Sequence, residues 1–237
     1  MLNRPIWTSE DYEPRPQNKL WLDRNECRNT NTIDLVKAIA SECIDERIST
    51  YNDLNILYAN AKDVLGVQEE NLYFTNGADG AIRTFFEVCH FKGINRQCIL
   101  MRPSFAMFSV YAHYYCNEVI YVDYERFEDR DSNQIKGLLE ALDNCAENSI
   151  CAIANPESPT GIGYTQSDID KITSICKAKN ISLLVDCTYE DFAQNKIRLD
   201  MNISLPDNIF IAKSFSKSWG LSGVRLGYLC GSAKEIK

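Results

Sequence analysis

The chain has 237 residues, of which 45% are hydrophobic and 24% are charged. This composition is typical of a globular protein, and the length suits one large domain or two small ones. The formal net charge of -8 disfavours broad attraction to nucleic acid or to anionic membranes, so an anionic ligand would need a local binding site. We expect no membrane span, because no apolar run is long enough to cross a bilayer.

The cysteines and histidines argue against a disulfide framework and against a metal site. None of the ten cysteines forms a CxxC pair, and several lie in apolar, strand-like runs such as QCILM and ICAIA. This pattern favours small buried side chains in a reducing cytoplasm. The only two histidines, His90 and His113, are too few and too far from paired cysteines to predict a zinc site.

Short apolar runs alternate with helical patterns from residue 71 onward, after two helical patterns near the start of the chain. The alternation predicts a mostly parallel sheet covered by helices on both faces, with Ser167 as the N-cap of the last predicted helix. Predicted strands are 72–75, 98–101, 118–122, 150–154, 181–185, 209–212 and 224–229; predicted helices are 33–46, 53–65, 78–90, 104–115, 133–145 and 167–179. Ligands of such sheets bind at the carboxyl ends of the strands, so the residues after each strand are the candidates for function.

The first of these junctions is NGADG, after strand 72–75. Gly77 permits a tight turn, and the free N–H groups of Ala78 and Asp79 at the start of the next helix can bind a phosphate. A plain strand-to-helix connection is the alternative interpretation.

Two further junctions carry rigid or acidic residues. NPESPTG, at 155–161, is a rigid turn that suits either the wall of a site or a surface loop. Asp186 ends a buried apolar strand, where a carboxylate is costly unless it is partnered. It is therefore either a helix N-cap or the partner of a cationic ligand atom, with the Tyr189 hydroxyl nearby as a donor.

The segment 210–228, FIAKSFSKSWGLSGVRLGY, combines hydroxyls, lysines and an arginine after a strand. Ser214, Ser216 and Arg225 could converge on a phosphate, since arginine can bind two oxygens at once. A lysine can form a Schiff base with a carbonyl compound, and Lys213 and Lys217 are both candidates. Taken singly, either could also be a solvated surface lysine.

Together these segments, from about residue 18 to residue 233, resemble the class I and II aminotransferases, which are pyridoxal-phosphate (PLP) enzymes of fold type I. The histidinol-phosphate aminotransferase branch is the nearest. The resemblance implies that Lys217, not Lys213, is the catalytic residue that forms a Schiff base with the cofactor. It also implies the residues that bind the cofactor. The pyridine nitrogen would pair with Asp186, and the 3-hydroxyl oxygen would accept hydrogen bonds from Tyr189 and Ser158. The phosphate ligands would be Ala78, Asp79, Ser214, Ser216 and Arg225.

The resemblance also implies residues at the rim of the site. Phe105, in RPSFAMF, stands where the family has an aromatic ring stacked on the pyridine. YND at 51–53 is similar to the branch's YPD, which implies that Tyr51 reaches the phosphate of the neighbouring subunit of a homodimer. LDRNE at 22–26 is similar to a segment at the substrate mouth and places Asn25 there.

Two features depart from the family pattern. NPESPTG has Ser158 where the family has asparagine, and the shorter side chain predicts a weaker or water-mediated contact and a raised pKa of the Schiff base. Members of the family continue through a C-terminal small domain, which supplies an arginine for the substrate's α-carboxylate, and we expect this chain to stop before that domain. We therefore expect an N-terminal segment over 1–50, a three-layer α/β/α PLP-binding large domain with a seven-stranded sheet over 51–237, and no small domain.

These expectations favour a cytoplasmic enzyme that transfers an amino group between an amino acid, or an amino-alcohol phosphate, and a 2-oxo acid. Two alternatives stay open: a PLP-dependent amino-acid-phosphate decarboxylase, and a catalytically incomplete fragment that binds PLP or serves as an interaction module. A dinucleotide site is disfavoured, because Gly220, Gly223 and Gly227 miss the G-x-G-x-x-G spacing. The expected partners are small molecules and a second copy of the chain, with no nucleic acid and no membrane.

Overall fold

The computed structural model describes residues 18, 24–43, 49–124, 135–194 and 205–236. Strands and helices alternate from residue 72 to residue 186, as the sequence predicts, and two further strands follow. The helices are α1 (Thr30–Cys43), α2 (Leu54–Leu65), α3 (Gly77–Phe91), α4 (Ala106–Tyr115), α5 (Lys136–Asn144), α6 (Gln166–Ala178) and α7 (Ala233–Ile236). The strands are β1 (Leu72–Thr75), β2 (Gln97–Arg102), β3 (Glu118–Asp123), β4 (Ile150–Ala154), β5 (Ser182–Asp186), β6 (Ile209–Ser214) and β7 (Gly227–Cys230).

The described strands form one seven-stranded sheet in the order β1-β7-β6-β5-β4-β2-β3. Neighbouring strands from β3 to β6 are parallel, whereas β7 is antiparallel to both β6 and β1. The prediction of a mostly parallel seven-stranded sheet is confirmed. Because β2 to β6 run in the same direction, their carboxyl ends share one edge of the sheet.

Alternate residues of each central strand point to opposite faces, and each face packs under its own helices. In β5, Leu183 and Val185 join a core that includes apolar side chains of α5 and α6. Leu184, between them, joins a second core with side chains of α3 and α4. Burial on both faces explains why the central strands are continuously apolar, and it confirms the three-layer α/β/α architecture.

Two predicted boundaries are wrong for local physical reasons. The last strand begins at Gly227 and not at Val224, because Arg225 has a left-handed backbone (φ 59°) that belongs to a turn. The N-cap of α6 is Thr165 and not Ser167, since Thr165 accepts the Asp168 N–H while the Asp168 carboxylate accepts the Thr165 N–H. This reciprocal capping box satisfies two N–H groups.

Other predicted bounds shift by a few residues or extend past the described ranges. Helix α1 begins at Thr30, earlier than predicted, and the predicted positions 44–46 lie outside the described residues. The same holds for 133–134 of the predicted fifth helix and for 22–23 of LDRNE. In the described ranges, no helix combines the length and the apolar character needed to span a bilayer.

The ten cysteines are all free thiols, and seven of them are buried. Burial raises the pKa of the Cys89 and Cys230 thiols to about 12, so these side chains stay neutral. The prediction that most cysteines are small buried side chains is therefore confirmed.

Candidate functional site

Most of the predicted site residues lie at the carboxyl edge of the sheet. Asp186 ends β5, Ser214 ends β6, and the NPESPTG segment follows β4. Backbone hydrogen bonds extend the pairing beyond the strands: Asn155 N donates to Asp186 O (2.9 Å), and Cys187 N donates to Ala212 O (2.8 Å). These bonds hold three neighbouring strand ends together, so the side chains that follow have fixed starting points.

The first turn of α3 packs against β7, and each of these segments has a glycine at the contact: Gly77 in α3 and Gly227 in β7. Gly227 pairs with Thr75 of β1 on one side and with Ser214 of β6 on the other. A Cβ built on Gly227 would lie 2.4 Å from Gly77 C and 2.8 Å from Ala78 N, which is too close for any side chain. Only glycine at 227 therefore lets the helix start reach the strand ends.

The Arg225 guanidinium lies over this helix start. Its Nη2 is 3.0 Å from the point where a Cβ of Gly77 would stand, and its Nη1 donates to Ser222 O (3.0 Å). Gly77 itself has a left-handed backbone (φ 70°), which an L side chain would strain. A fixed cation above the free N–H groups of a helix start is an arrangement that binds anions.

Two serines stand at the end of β6 and just after it, and Ser214 pairs with Gly227 of β7. Ser216 N donates to Ser214 Oγ (3.1 Å), which turns the chain after β6. The Ser216 Oγ is buried, and it has no hydrogen-bond partner in the part of the chain that the structure describes. A buried polar atom without a partner is costly, and a ligand oxygen would satisfy it.

We expect Gly227→Ala to destabilise the fold by about 2–4 kcal/mol, because the added Cβ would meet backbone that cannot move aside cheaply. Gly223→Ala is the matched control, since a Cβ there meets nothing within 4 Å. Its effect should stay within about 0.5 kcal/mol. Denaturant unfolding of both variants measures the difference, and equal stabilities would contradict the close approach.

Asp186 is a buried carboxylate at the end of β5, with a relative exposure of 6%. Its Oδ1 accepts the Thr188 N–H (2.9 Å) and the Thr188 hydroxyl (2.6 Å). Burial raises the pKa of Asp186 to about 6, although both bonds from Thr188 favour the ionised form. No cation pairs with it among the described residues, so Asp186 fits a cationic ligand atom better than a helix N-cap.

The structure distinguishes the two lysines. Lys213 forms a partly buried ion pair with Glu190, so its amine is engaged. Lys217 Nζ donates to two backbone carbonyls, Arg24 O (2.8 Å) and Asn25 O (3.4 Å), and lies 5.7 Å from the centre of the Tyr189 ring. Lys217 therefore contacts two other predicted site residues, Asn25 and Tyr189.

The N-terminal segment reaches the same place. Asn25 Nδ2 donates to the Tyr189 hydroxyl oxygen (3.0 Å), which joins the predicted mouth residue to the loop after β5. Gly220 faces the segment closely, since a Cβ there would stand 2.7 Å from Thr32 Cγ2. Asn25, Tyr189 and Lys217 thus form one contact group.

Phe105 and Ser158 belong to a second group, whose residues follow β2 and β4. Phe105 immediately precedes α4, is half-exposed and packs edge-on against Phe108 (6.0 Å between ring centres). Ser158 N donates to the Glu157 carboxylate (2.9 Å), which also accepts the hydroxyl of Ser104 (2.8 Å). Through Glu157, the Phe105 segment and the Ser158 segment are joined.

Asp79 and Tyr51 do not join either of these two contact groups in the described structure. Asp79, in the first turn of α3, accepts the Tyr111 hydroxyl (3.0 Å) with its carboxylate, so only its backbone N–H faces the anion position. Tyr51 is fully exposed just before α2.

Sequence reasoning missed two polar residues of the site. Thr188 was detectable, because a threonine two positions after an aspartate commonly donates back to its carboxylate. Glu157 was visible as a carboxylate in a rigid loop, but nothing in the sequence pairs it with Ser104 and Tyr124, which come from distant positions.

Comparison with known proteins gives a family and a fold. The family model for aminotransferase class I and II matches residues 17–237. A histidinol-phosphate aminotransferase from Chlorobium phaeovibrioides is 28% identical over 225 residues, which cover 93% of this chain and 59% of that protein. The chain spans about three-fifths of the length of the curated relatives it matches.

Solved structures share the fold at low sequence identity. Histidinol-phosphate aminotransferase from Sinorhizobium meliloti, in complex with pyridoxal-5'-phosphate, matches with a TM-score of 0.67 and 18% identity, over 90% of this chain and 56% of that one. L-threonine-O-3-phosphate decarboxylase from Porphyromonas gingivalis matches with a TM-score of 0.67 and 18% identity, over 87% and 58%. A transferase and a lyase thus carry the same architecture.

Proposed function

The chain belongs to the class I and II aminotransferase family, whose members depend on PLP, and we propose that it binds PLP through Lys217 and transfers an amino group between an amino acid and a 2-oxo acid. The observation that carries the proposal is Asp186, a buried carboxylate with a pKa of about 6 and no described cationic partner. A protonated pyridine nitrogen is the cation that would pair with it.

The other residues fit the same group. The helix start at Ala78 and Asp79, with Arg225 above it, suits a phosphate, and the unpartnered Ser216 Oγ supplies a further donor. Ser214 completes this phosphate set, although its Oγ also accepts the Ser216 N–H. The fit thus rests on an anion position and a cation position at the two ends of one cofactor.

When bound, PLP supplies a ring that accepts electrons from the substrate's α-carbon. Asp186 would pair with the ring nitrogen and keep it protonated, and Phe105 would cover one face of the ring. Tyr189, and more weakly Ser158, would donate hydrogen bonds to the 3-hydroxyl oxygen. Lys217 Nζ, which donates to the Arg24 and Asn25 carbonyls, would hold the cofactor and would serve as the base for the substrate's α-proton.

The proposed organisation includes a second copy of the chain. Helix α1 contains no buried residue, and its Leu35 and Ile39 are 60% and 52% exposed. Tyr51 is also fully exposed, next to the exposed Leu54 of α2. Apolar surface of this kind is typical of subunit contacts, and it supports a homodimer in which Tyr51 reaches the partner's phosphate. Residues 51–237 would then form the cofactor domain, with 1–50 at its mouth.

Decarboxylation is the second candidate, because the decarboxylase from Porphyromonas gingivalis shares the fold. The test is product analysis of the full chain with PLP and either histidinol phosphate or O-phosphothreonine, each with and without 2-oxoglutarate. Amino transfer predicts consumption of the donor only when the 2-oxo acid is present. Release of carbon dioxide without an acceptor would replace the transferase proposal by the lyase, and no turnover of any donor would contradict both.

A further inference from the structure

Glu157 is a buried carboxylate that the proposed chemistry does not use. Only 2% of its surface is exposed. Oε1 accepts the Ser104 hydroxyl (2.8 Å) and the Ser158 N–H (2.9 Å), and Oε2 accepts the Tyr124 hydroxyl (3.0 Å). Three donors therefore converge on one side chain beside the candidate cofactor site.

The donors come from the ends of three neighbouring strands. Ser104 follows β2 and directly precedes Phe105, Tyr124 follows β3, and Ser158 follows β4. In the sheet these strands lie side by side in the order β4-β2-β3. A single carboxylate thus accepts hydrogen bonds from residues that follow three neighbouring strands.

The carboxylate itself is held firmly. Glu157 N donates to Ile162 O (2.7 Å), and Glu157 O accepts the Gly161 N–H (2.7 Å), so the loop closes on itself around the residue. On the far side, the Tyr124 hydroxyl is also 2.8 Å from that of Tyr164, which is buried. A fixed acceptor imposes its position on the groups that donate to it.

Burial of this carboxylate has a cost. Burial raises the pKa of Glu157 to about 7, against the opposing effect of its hydrogen bonds from Ser104, Tyr124 and Ser158. The titratable groups that face it among the described residues are the Tyr124 and Tyr164 hydroxyls, and no described cation offsets its charge. An alanine here would relieve the charge but leave the three donors without their acceptor.

We propose that Glu157 is a positioning residue of the cofactor site, which fixes the Phe105 and Ser158 segments relative to each other by accepting a hydrogen bond from each. The identity of the ligand as PLP rests on the proposed function. In this arrangement the position of Phe105, which would cover the ring, is fixed relative to that of Ser158, although the two are 53 positions apart in sequence.

The first test needs no cofactor. In the full chain without PLP, Glu157→Ala is expected to speed amide hydrogen exchange in both 104–108 and 157–161. The matched control is Glu87→Ala, which likewise removes a carboxylate that accepts a tyrosine hydroxyl, from Tyr115 (2.8 Å). It should leave both segments unchanged. Unchanged exchange in Glu157→Ala would overturn the proposal.

The second test measures the affinity for PLP and the absorbance of the bound cofactor. Loss of the paired contacts in Glu157→Ala is expected to weaken PLP binding about tenfold and to shift its absorbance band. Glu157→Gln should stay within about twofold of wild type, because its amide oxygen can accept from both serines. Ser104→Ala removes only one hydroxyl, so it should disturb the fold less than Glu157→Ala does. It should weaken PLP binding about threefold.

The outcomes separate this inference from the proposed function. Equal PLP affinity in wild type, Glu157→Ala and Ser104→Ala would overturn the positioning role while leaving PLP binding intact. A wild-type chain that binds no PLP would instead overturn the proposed function and the cofactor part of this inference. The exchange experiment would still decide whether Glu157 holds the two segments together.

Discussion

Replacing Lys217 with alanine is expected to abolish covalent retention of PLP, whereas replacing Lys213 with alanine is expected to leave it intact. Among the described residues, Lys217 Nζ contacts two backbone carbonyls and the face of the Tyr189 ring, so a carbonyl compound can compete for it. Lys213 is engaged by Glu190, and its replacement should instead lower stability by roughly 1–3 kcal/mol by leaving a partly buried carboxylate unpaired. Absorbance of PLP that survives gel filtration distinguishes the two variants.

Circular dichroism and thermal unfolding serve as controls for both lysine variants. Loss of retained PLP in Lys213→Ala, with a folded protein, would reverse the assignment of the two lysines. Retention by Lys217→Ala at the wild-type level would remove the covalent role of Lys217 altogether.

Replacing Asp186 with asparagine is expected to separate stability from cofactor binding. The pKa of Asp186 is raised from 3.8 to about 6 by burial, so the folded state binds its proton more tightly than the unfolded state does. The stability that this proton contributes is therefore present below about pH 4 and is lost as the pH rises to about 6. At pH 7 the ionised carboxylate thus costs the protein up to about 3 kcal/mol when no cation is bound.

Asp186→Asn should lack this pH-dependent loss, because an amide keeps an acceptor for both bonds from Thr188 and carries no charge. Ionisation of Glu157, whose pKa is about 7, also lowers the stability of the protein, but it does so equally in the wild type and in Asp186→Asn. The measurement is denaturant unfolding from pH 4 to pH 8 without PLP, taken as the difference between variant and wild type. A difference that does not change with pH would contradict the burial of an unpaired carboxylate.

The same variant should bind PLP more weakly, on the order of 30-fold, since it cannot pair with a protonated ring nitrogen. Added PLP should accordingly stabilise the wild type at pH 7 more than it stabilises Asp186→Asn. Equal stabilisation would mean that the cation position has been assigned to the wrong group.

The sheet, and the edge of the sheet where the candidate site residues lie, were predictable from sequence. Continuous apolar runs such as ICAIA report burial on both faces, and parallel strands bring their carboxyl ends together. Asp186 and Lys217 could be singled out because each follows such a run within a motif that resembles a known family. Two local backbone features were not predicted. Because of the left-handed turn at Arg225, β7 begins later than predicted, and because of the Thr165–Asp168 capping box, α6 begins earlier than predicted.

Contacts between distant positions could not be predicted. The ion pair that engages Lys213 joins it to Glu190 across two strand ends, and the sequence alone left both lysines as candidates. The Glu157 hydrogen bonds depend on the strand order β4-β2-β3, which no periodicity encodes. Likewise, the need for glycine at 227 appears only when the start of α3 is placed against β7.

The most direct test of the central claim is to locate the cofactor on the wild-type chain. After incubation with PLP and reduction with borohydride, proteolysis and mass spectrometry should find one pyridoxyl group, on the peptide that contains Lys217, with Lys213 unmodified. An adduct on Lys213, a scatter of adducts over surface lysines, or no adduct at all would contradict the account.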